Sequence, residues 1–336
     1  MSKSNILLIY TGGTIGMIKE ADQPYLKPFN FKNILEKVRE IKLLNCNIET
    51  ISIKDPIDSS NISIDNWIEL INLLEENYNK FDGFVILHGT DTMSYTASAL
   101  SFLIKNLSKP IILTGSQLPL GDLRTDAKEH IITSIQLAAN DIKIKEVCLY
   151  FDNKLYRGNR TTKVNSEQFK AYASFNYPEL ANSGVDLIIN KKNILNSKET
   201  KTSFYKKLNN KVSVLKLFPG ISKNIVEHIF ANNHSKVIII ESFGSGNIFN
   251  DRWFLDELKR SINNGKFIIN VSQCPKGTVK MGKYESSEEL INLGVISGKD
   301  ITIESAICKS MFLLTKNLNF SLFKKYFEHD LSGEIS

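Results

Sequence analysis

The chain has 336 residues, of which 42% are hydrophobic and 23% are charged, and its formal net charge is +6 at pH 7. This is the composition of an ordinary globular protein, long enough for two domains and needing neither disulfides nor a structural metal for its core. The basic residues are scattered, without a stripe or interleaved aromatic residues, which argues against a nucleic-acid partner.

The cysteines and the N-terminal segment bear on the cellular compartment. Cys46, Cys148, Cys274 and Cys308 lie far apart and form no C-x-x-C pair, so their even number is weak evidence for disulfides. The segment MSKSNILLIYTGG lacks the cleavage pattern of a signal peptide. No apolar stretch reaches the ~18 residues that span a bilayer. We therefore expect a cytoplasmic protein without a membrane partner.

In the first half of the chain, apolar runs alternate with amphipathic segments. The runs NILLIY, NIETISI, GFVILH, PIILTG and EVCLYF predict buried strands. Helices are predicted around 30–42, 65–79, 92–106 and 125–140, the second of them capped by Ser63 or Asp65. Short apolar strands that alternate with helices predict a doubly wound, mostly parallel α/β sheet.

This alternation breaks at 191–211, where the sequence KKNILNSKETKTSFYKKLNNK has the charge and polarity of a linker. It resumes with the predicted strands VSVLKLF, KVIIIESF and FIINVSQ. Further helices are predicted near 221–232, 252–263, 301–315 and 319–328. The sequence thus predicts a larger N-terminal α/β domain over 1–190 and a smaller C-terminal α/β domain over 212–336.

Four strands of the first half end in polar turns: YTGGTIG, KDPIDSSNIS, HGTDTMS and TGSQLPLGD. In open α/β sheets, ligands bind beyond the carboxyl ends of the strands. Helix capping would explain the hydroxyl groups at one such turn, but four in succession favour a shared site. The polar residues expected on this rim are Thr14, Asp58, Ser59, Ser60, Thr90, Asp91 and Ser116.

Nucleotide and metal chemistry do not fit these turns. TGGTIG is not G-x-G-x-x-G, lacks the acidic residue about twenty positions on, and does not end in G-K-[ST]. The five histidines show no metal-ligand spacing. We therefore expect neither a metal nor another cofactor.

Covalent catalysis by a threonine needs a group that takes its proton. Early candidates are Tyr25, Lys163, the nearby carboxylates and His88. His88 ends an apolar run and is interpreted as a core or turn histidine with its hydrogen bonds satisfied. The nucleophile elbow G-x-S-x-G is absent, which argues against a Ser-His-Asp arrangement of that type.

Five segments together resemble the asparaginase family of amidohydrolases: YTGGTIGM, DSSNIS, LHGTDTMSYTASAL, PIILTGSQLPL and LYRGNRTTK. The resemblance runs from residue 5 to about 190 and continues more weakly through SFGSGN and NVSQCPKGTVKMGKY. The motifs IDSS and RGNRTTK are most similar to the cytoplasmic, type I branch. The resemblance implies hydrolysis of L-asparagine to L-aspartate and ammonia through an acyl-enzyme.

The resemblance also implies a role for each matched residue. Thr14 corresponds to the nucleophile, and Tyr25 to a tyrosine on the mobile loop that closes over the substrate. Thr90, Asp91 and Lys163 correspond to a second catalytic group. Asp58, Ser59 and Ser60 correspond to the turn that holds the α-carboxylate and α-amino groups of the substrate. The full set expected to bind the substrate is Asp58, Ser59, Ser60, Thr90, Asp91, Ser116 and Asn247.

Lys163 poses a charge problem in this scheme, because it accepts a proton only as the neutral amine. A neighbouring Asp91 carboxylate favours the ammonium form instead. We hypothesise that the α-ammonium group of the substrate binds Asp91 and frees Lys163 to accept a proton.

In the second half, SFGSGN resembles a loop that reaches the active site of a neighbouring subunit through Asn247. A homodimer or homotetramer is therefore expected. Thr162, Asn247 and Cys274 match residues of an allosteric asparagine site found in some type I members. Glu241 stands where an arginine is expected there, and its carboxylate would repel that of an effector, which argues against regulation.

The sequence leaves three alternatives to an asparaginase open. An amidohydrolase with comparable glutaminase activity differs from an asparaginase by one methylene of pocket size, which the sequence does not resolve. An ammonia-donating subunit for glutamyl-tRNA amidation carries an extra N-terminal domain, whereas Thr14 lies almost at the start of this chain. A non-enzymatic amino-acid sensor would not need the catalytic positions, yet each is occupied by the expected residue type.

Overall fold

The computed structural model describes residues 3–19, 26–28, 37–196, 201–282 and 285–336. The chain forms two compact units, Met1–Lys206 and Lys207–Ser336. The first contains a large sheet with a parallel centre, and the second a smaller parallel sheet, so the predicted fold class is confirmed. No helix in these ranges is long and apolar enough to cross a membrane.

The described residues of the first unit contain fourteen strands and three complete α-helices. The strands are β1 (Ser4–Tyr10), β2 (Met17–Lys19), β3 (Leu26–Pro28), β4 (Cys46–Ser52), β5 (Gly83–Leu87), β6 (Ile104–Lys105), β7 (Ile111–Thr114), β8 (Val147–Phe151), β9 (Lys154–Arg157), β10 (Thr162–Lys163), β11 (Tyr172–Ala173), β12 (Ala181–Ser183), β13 (Leu187–Ile189) and β14 (Ser203–Phe204). The helices are α1 (Ile64–Asn77), α2 (Met93–Leu103) and α3 (Ala127–Ala139).

The main sheet of this unit has the strand order β13-β12-β9-β8-β7-β5-β1-β4. Strands β4, β1, β5, β7 and β8 are parallel, and β9, β12 and β13 extend the sheet by antiparallel pairing. Residues 6–10 of β1 are fully buried, so both faces of the sheet are covered at its centre. Their continuous apolar sequence is the reason the strand was predictable.

The strand order reverses between β1 and β5. From β1 the chain moves to β4 on one side, and all later parallel strands, beginning with β5, lie on the other side. The loops that follow β1 and β5 therefore diverge and leave a crevice at the carboxyl edge, where open α/β sheets bind their ligands. Thr14 follows β1 and Thr90 follows β5.

The second unit is built on the parallel sheet β15 (Val212–Lys216), β16 (Val237–Ser242), β17 (Phe267–Ser272) and β18 (Ile296–Ser297). Its helices are α4 (Lys223–Ala231), α5 (Arg252–Asn263), α6 (Glu285–Leu293), α7 (Ile303–Leu314) and α8 (Phe320–Glu328). The sequence predicted all of these elements except α6 and β18. Its core includes Phe230 and Phe254, which meet edge to face at 6.1 Å.

Two local predictions differ from the structure. The helix expected around 30–42 falls partly on residues outside the described ranges, and its described end is the 3₁₀ turn Arg39–Leu43. The helix expected over 92–106 ends at Leu103, because Ile104–Lys105 leaves it to pair with Ser203–Phe204. That second strand lies within the segment expected to be a linker. Helix α1 begins after Ser63, one of its two predicted caps.

Two glycines bring the switch-point loops into backbone contact. Gly13 has a φ of +85°, and a Cβ atom added there would lie 2.3 Å from the Cα atom of Gly89. A Cβ atom on Gly89 would in turn meet Ser59 Oγ at 2.5 Å. The loops after β1, β4 and β5 therefore pack at distances that only glycine permits.

We predict that Gly13→Ala destabilises the protein by about 2 kcal/mol or more, because alanine is strained at this φ and overlaps backbone atoms that have no rotamer to change. Urea unfolding measures the loss. Gly121→Ala is the matched control, since no atom lies within 4 Å of its added Cβ. Equal stability of the two variants would contradict the contact between the loops.

Candidate active site

Thr90, Asp91 and Lys163 form a connected polar group at the carboxyl edge of the sheet. Lys163 Nζ donates to Thr90 Oγ1 at 2.9 Å and to Asp91 Oδ1 at 2.7 Å. The Lys163 side chain is 19% exposed and that of Asp91 is 62% exposed. One carboxylate oxygen is therefore paired inside the protein, while the Asp91 side chain as a whole is open to a ligand.

This arrangement joins residues that are about seventy positions apart in the chain. Thr90 and Asp91 lie in the loop between β5 and α2, whereas Lys163 ends the short strand β10. Strand β10 pairs antiparallel with β11, and Tyr172 is the register partner of Lys163. The Tyr172 hydroxyl donates to the carbonyl oxygen of Thr90, so the hairpin contacts both the side chain and the backbone of Thr90.

Thr14 lies on the neighbouring loop, at the start of the 3₁₀ turn Thr14–Gly16. It is half-buried, and the preceding Gly13 is the residue that touches Gly89. The two threonines singled out from the sequence thus follow directly after the two glycines in contact. Tyr25, expected to act beside Thr14, lies outside the described residues.

The loop after β4 contributes Asp58, Ser59 and Ser60. Ser59 is 4% exposed, and its hydroxyl oxygen accepts a hydrogen bond from the Asp91 backbone N–H at 3.2 Å. Its carbonyl oxygen accepts from Thr92 Oγ1 at 2.7 Å. Asp58 caps the 3₁₀ turn Ser59–Asn61 by accepting from the Ser60 N–H at 3.0 Å. Ser59 therefore links this loop to Asp91, and its two neighbours in the chain, Asp58 and Ser60, are exposed.

Ser116 is 1% exposed, and its hydroxyl donates to the carbonyl oxygen of Leu118 at 2.6 Å within its own loop. The same loop is held by Asp126, whose two carboxylate oxygens accept from the N–H groups of Gln117 and Leu118. A part for Ser116 in binding a substrate stays a prediction. Gln117 was not singled out from the sequence, although its Oε1 lies 3.4 Å from Thr90 Oγ1.

Asn247 and Cys274 lie in the second unit. Asn247 is half-buried in a tight turn, where its N–H donates to the carbonyl oxygen of Phe243 at 2.8 Å. Cys274 is exposed, and its N–H donates to Ser272 Oγ at 2.9 Å. Thr162 lies in the first unit, half-buried beside Lys163. Their expected roles at a neighbouring or allosteric site stay predictions.

His88 precedes the Thr90 loop and is 1% exposed. Its Nδ1 lies 2.7 Å from the carbonyl oxygen of Gly89, and its Nε2 lies 2.9 Å from Thr96 Oγ1. Because a carbonyl only accepts, Nδ1 carries the proton and Nε2 accepts from the threonine. Burial lowers the pKa of His88 from 6.5 to about 4. The interpretation as a satisfied core histidine is confirmed.

The lowered pKa of His88 predicts a pH-dependent stability. The unfolded chain takes up this proton near pH 6.5 and the folded protein only near pH 4, so the unfolded state binds more protons between these values. The contribution is fully present above pH 6.5 and is lost as the pH falls toward 4. At pH 5 we expect a loss of about 2 kcal/mol relative to pH 7.5.

Urea unfolding of the wild type and of His88→Asn at pH 7.5 and pH 5 measures this term, because asparagine does not titrate. Between pH 7.5 and pH 5, the free energy of unfolding of the wild type is expected to fall by about 2 kcal/mol more than that of His88→Asn. The same pH dependence in both proteins would mean that His88 does not remain neutral in the folded state.

Two family models match the chain: the N-terminal asparaginase model over residues 5–195, and the glutaminase/asparaginase C-terminal model over 211–327. L-asparaginase 1 of Escherichia coli is 37% identical over 338 aligned positions, covering 100% of this chain and 99% of that protein. The crystal structure of L-asparaginase I from Vibrio cholerae has a TM-score of 0.91 at 34% identity and 99% coverage of both chains.

The crystal structure of a probable cytoplasmic L-asparaginase from Campylobacter jejuni has a TM-score of 0.79 at 25% identity, covering 97% of this chain and 99% of that one. The family models together extend over both structural units. The motifs that resemble this family lie on the loops described above. The chain therefore belongs to the asparaginase family of amidohydrolases.

Proposed function

We propose that the protein hydrolyses L-asparagine to L-aspartate and ammonia. The observation that carries this proposal is the group of Thr90, Asp91 and Lys163, held against the Thr14 loop at the switch point of the sheet. It supplies hydroxyl groups, an amine and a carboxylate within one crevice, as amide hydrolysis through a covalent intermediate requires. The names of the relatives support the choice of substrate.

In the proposed reaction, Thr14 Oγ1 attacks the side-chain amide carbon of asparagine. Negative charge develops on the amide oxygen, and donors fixed in advance around it stabilise the transition state. The nitrogen leaves as ammonia once it is protonated, and a β-aspartyl ester remains on Thr14. Water then attacks the ester carbonyl, which releases aspartate and returns the proton to the threonine hydroxyl.

Thr90 and Lys163 are proposed to move the protons. Lys163 Nζ bridges Thr90 Oγ1 and Asp91 Oδ1, so the Asp91 carboxylate provides electrostatic stabilisation for the lysine. When the α-ammonium group of the substrate binds Asp91, that stabilisation is shared with a second cation. The lysine then gives up its proton to solvent more easily. As the neutral amine it accepts the Thr14 hydroxyl proton through Thr90 during the attack, and that proton then passes to the leaving nitrogen.

The remaining rim residues are proposed to fix the substrate in one pose. Asp91 suits the α-ammonium group because its side chain is 62% exposed and carries the opposite charge. Ser59, Ser60 and the N–H groups of their turn suit the α-carboxylate. Holding both α-groups presents the side-chain amide to Thr14, and such positioning lowers a reaction barrier by several kcal/mol.

The size of the crevice decides between asparagine and glutamine. The two substrates differ by one methylene, which is worth ~1–3 kcal/mol in a fitted pocket. We propose asparagine as the preferred substrate, in keeping with the names of the relatives. A parallel assay with L-glutamine measures the ratio of kcat/KM values directly.

We further propose a cytoplasmic homo-oligomer in which Asn247 completes the site of a neighbouring subunit. The resemblance of SFGSGN to the corresponding family loop supports the assembly. The similarity to a probable cytoplasmic L-asparaginase supports the location. Sedimentation of the purified protein gives the oligomeric state.

We predict that the purified protein releases ammonia from L-asparagine and that Lys163→Met lowers kcat by about 10²-fold or more, because the proton acceptor is lost. Thr14→Ala is expected to abolish turnover, because the nucleophile is lost. Lys154→Met is the matched control: Lys154 is also ion-paired, with Glu179 at 2.6 Å, and it is expected to leave kcat unchanged.

Two outcomes would contradict this proposal. Near-full turnover by Lys163→Met would remove the lysine from the proton path. Binding of L-asparagine without ammonia release by the wild type would make the rim an amino-acid sensor, and calorimetric titration distinguishes that case from a protein that does not bind asparagine at all.

A further inference from the structure

The backbone carbonyls on both sides of the Thr90 α-carbon accept hydrogen bonds from buried side chains. His88 Nδ1 donates to the Gly89 carbonyl at 2.7 Å, and the Tyr172 hydroxyl donates to the Thr90 carbonyl. Each donor residue is at most 2% exposed. The peptide units before and after Thr90 are thus both held, whereas Thr90 itself is half-buried.

A chain of two hydrogen bonds fixes the tautomer of His88. Trp67 Nε1 donates to Thr96 Oγ1 at 3.0 Å, which leaves the threonine hydroxyl proton for His88 Nε2. His88 Nδ1–H therefore points to Gly89, because a neutral imidazole has one donor and one acceptor. This chain is internal to the first unit and needs no contact with substrate.

The donor on the other side comes from the hairpin that carries Lys163. Tyr172 is directly opposite Lys163 in the antiparallel pair β10–β11. One rung of this hairpin therefore donates twice to Thr90: the lysine to its hydroxyl oxygen and the tyrosine to its carbonyl oxygen. The Thr90 backbone can move relative to Lys163 only if the hydrogen bond from the Tyr172 hydroxyl breaks.

We propose that His88 and Tyr172 are positioning residues that hold the Gly89–Thr90 segment so that Thr90 Oγ1 meets Lys163 Nζ. This inference rests on the proposed amidase function, in which Thr90 relays protons. Neither residue touches the reacting atoms in this scheme. Their effect is on the orientation of the relay, and orientation is a large component of catalysis.

The expected signature is a fall in kcat with little change in KM. Tyr172→Phe deletes a single hydroxyl group and keeps the ring, which packs edge to face on Phe151 at 5.0 Å. It leaves Asp91 and Ser59 in place, so substrate binding is preserved. We expect kcat to fall about tenfold or more, since misplacement by about 1 Å costs up to ~10² in rate.

Two substitutions at His88 distinguish the effect of its hydrogen-bond donor from the effect of its side-chain volume. The amide nitrogen of His88→Asn takes the place of Nδ1 and keeps the bond to Gly89, whereas that of His88→Gln takes the place of Nε2 and loses it. We expect His88→Asn to retain kcat within about threefold and His88→Gln to lose about tenfold. Equal loss in both variants would mean that His88 acts only by filling space.

Tyr150→Phe is the matched control for Tyr172→Phe. Tyr150 is also a buried tyrosine of the first unit, but its hydroxyl donates to Glu129 rather than to a loop of the site. Thermal unfolding of all four variants reports any general loss of stability. The proposal is overturned if Tyr172→Phe keeps wild-type kcat, or if the Tyr150 control loses as much activity.

A wild-type protein that releases no ammonia would contradict the proposed function itself, which is a separate outcome. In that case a crystal structure of Tyr172→Phe decides on the positioning role. A Thr90 Oγ1 that moves out of hydrogen-bond distance of Lys163 Nζ supports it. An unchanged 2.9 Å contact in the variant overturns it.

Discussion

The rest of the site depends on the backbone contact between Gly13 and Gly89. A parallel sheet alone delivers two loops that diverge from its switch point, and side chains at these positions would keep the loops apart. With no Cβ atom on either residue, the two backbones meet, and Ser59 packs against the same point. The hydroxyl-bearing residues that follow each glycine then belong to one crevice. The glycine pair that interrupts the first strand is therefore a packing requirement as well as a turn.

Around this contact, the protein separates charged groups from neutral ones. Lys163 and Asp91 form an ion pair at the more open side, where we propose that a zwitterionic amino acid binds. His88 lies beneath, fully buried and neutral, and its hydrogen bonds are used for the backbone. Under the proposed function, His88 therefore serves to hold the backbone and does not transfer protons. Proton transfer is proposed for Lys163, whose Nζ lies within hydrogen-bond distance of Thr90 Oγ1.

The sequence was sufficient for most helices and for every parallel strand of the two sheets except β18, because continuous apolar runs are local signals. It did not predict the short strands or the antiparallel strands β9, β12 and β13 that extend the main sheet. It was not sufficient for Tyr172, whose importance arises from pairing opposite Lys163 and reaching back to Thr90 across the fold. The sequence also did not predict helix Glu285–Leu293 or strand Ile296–Ser297, the strand because two residues carry no period. Site features set by long-range pairing need the structure.

We propose that the two threonines at the switch point have different tasks: Thr14 forms the covalent ester, and Thr90 relays protons. Rapid acid quenching during turnover of L-asparagine, followed by peptide mapping, locates the ester directly. We predict a β-aspartyl adduct on the peptide that contains Thr14, absent from Thr14→Ala. An adduct on the peptide that contains Thr90 would contradict this division of roles.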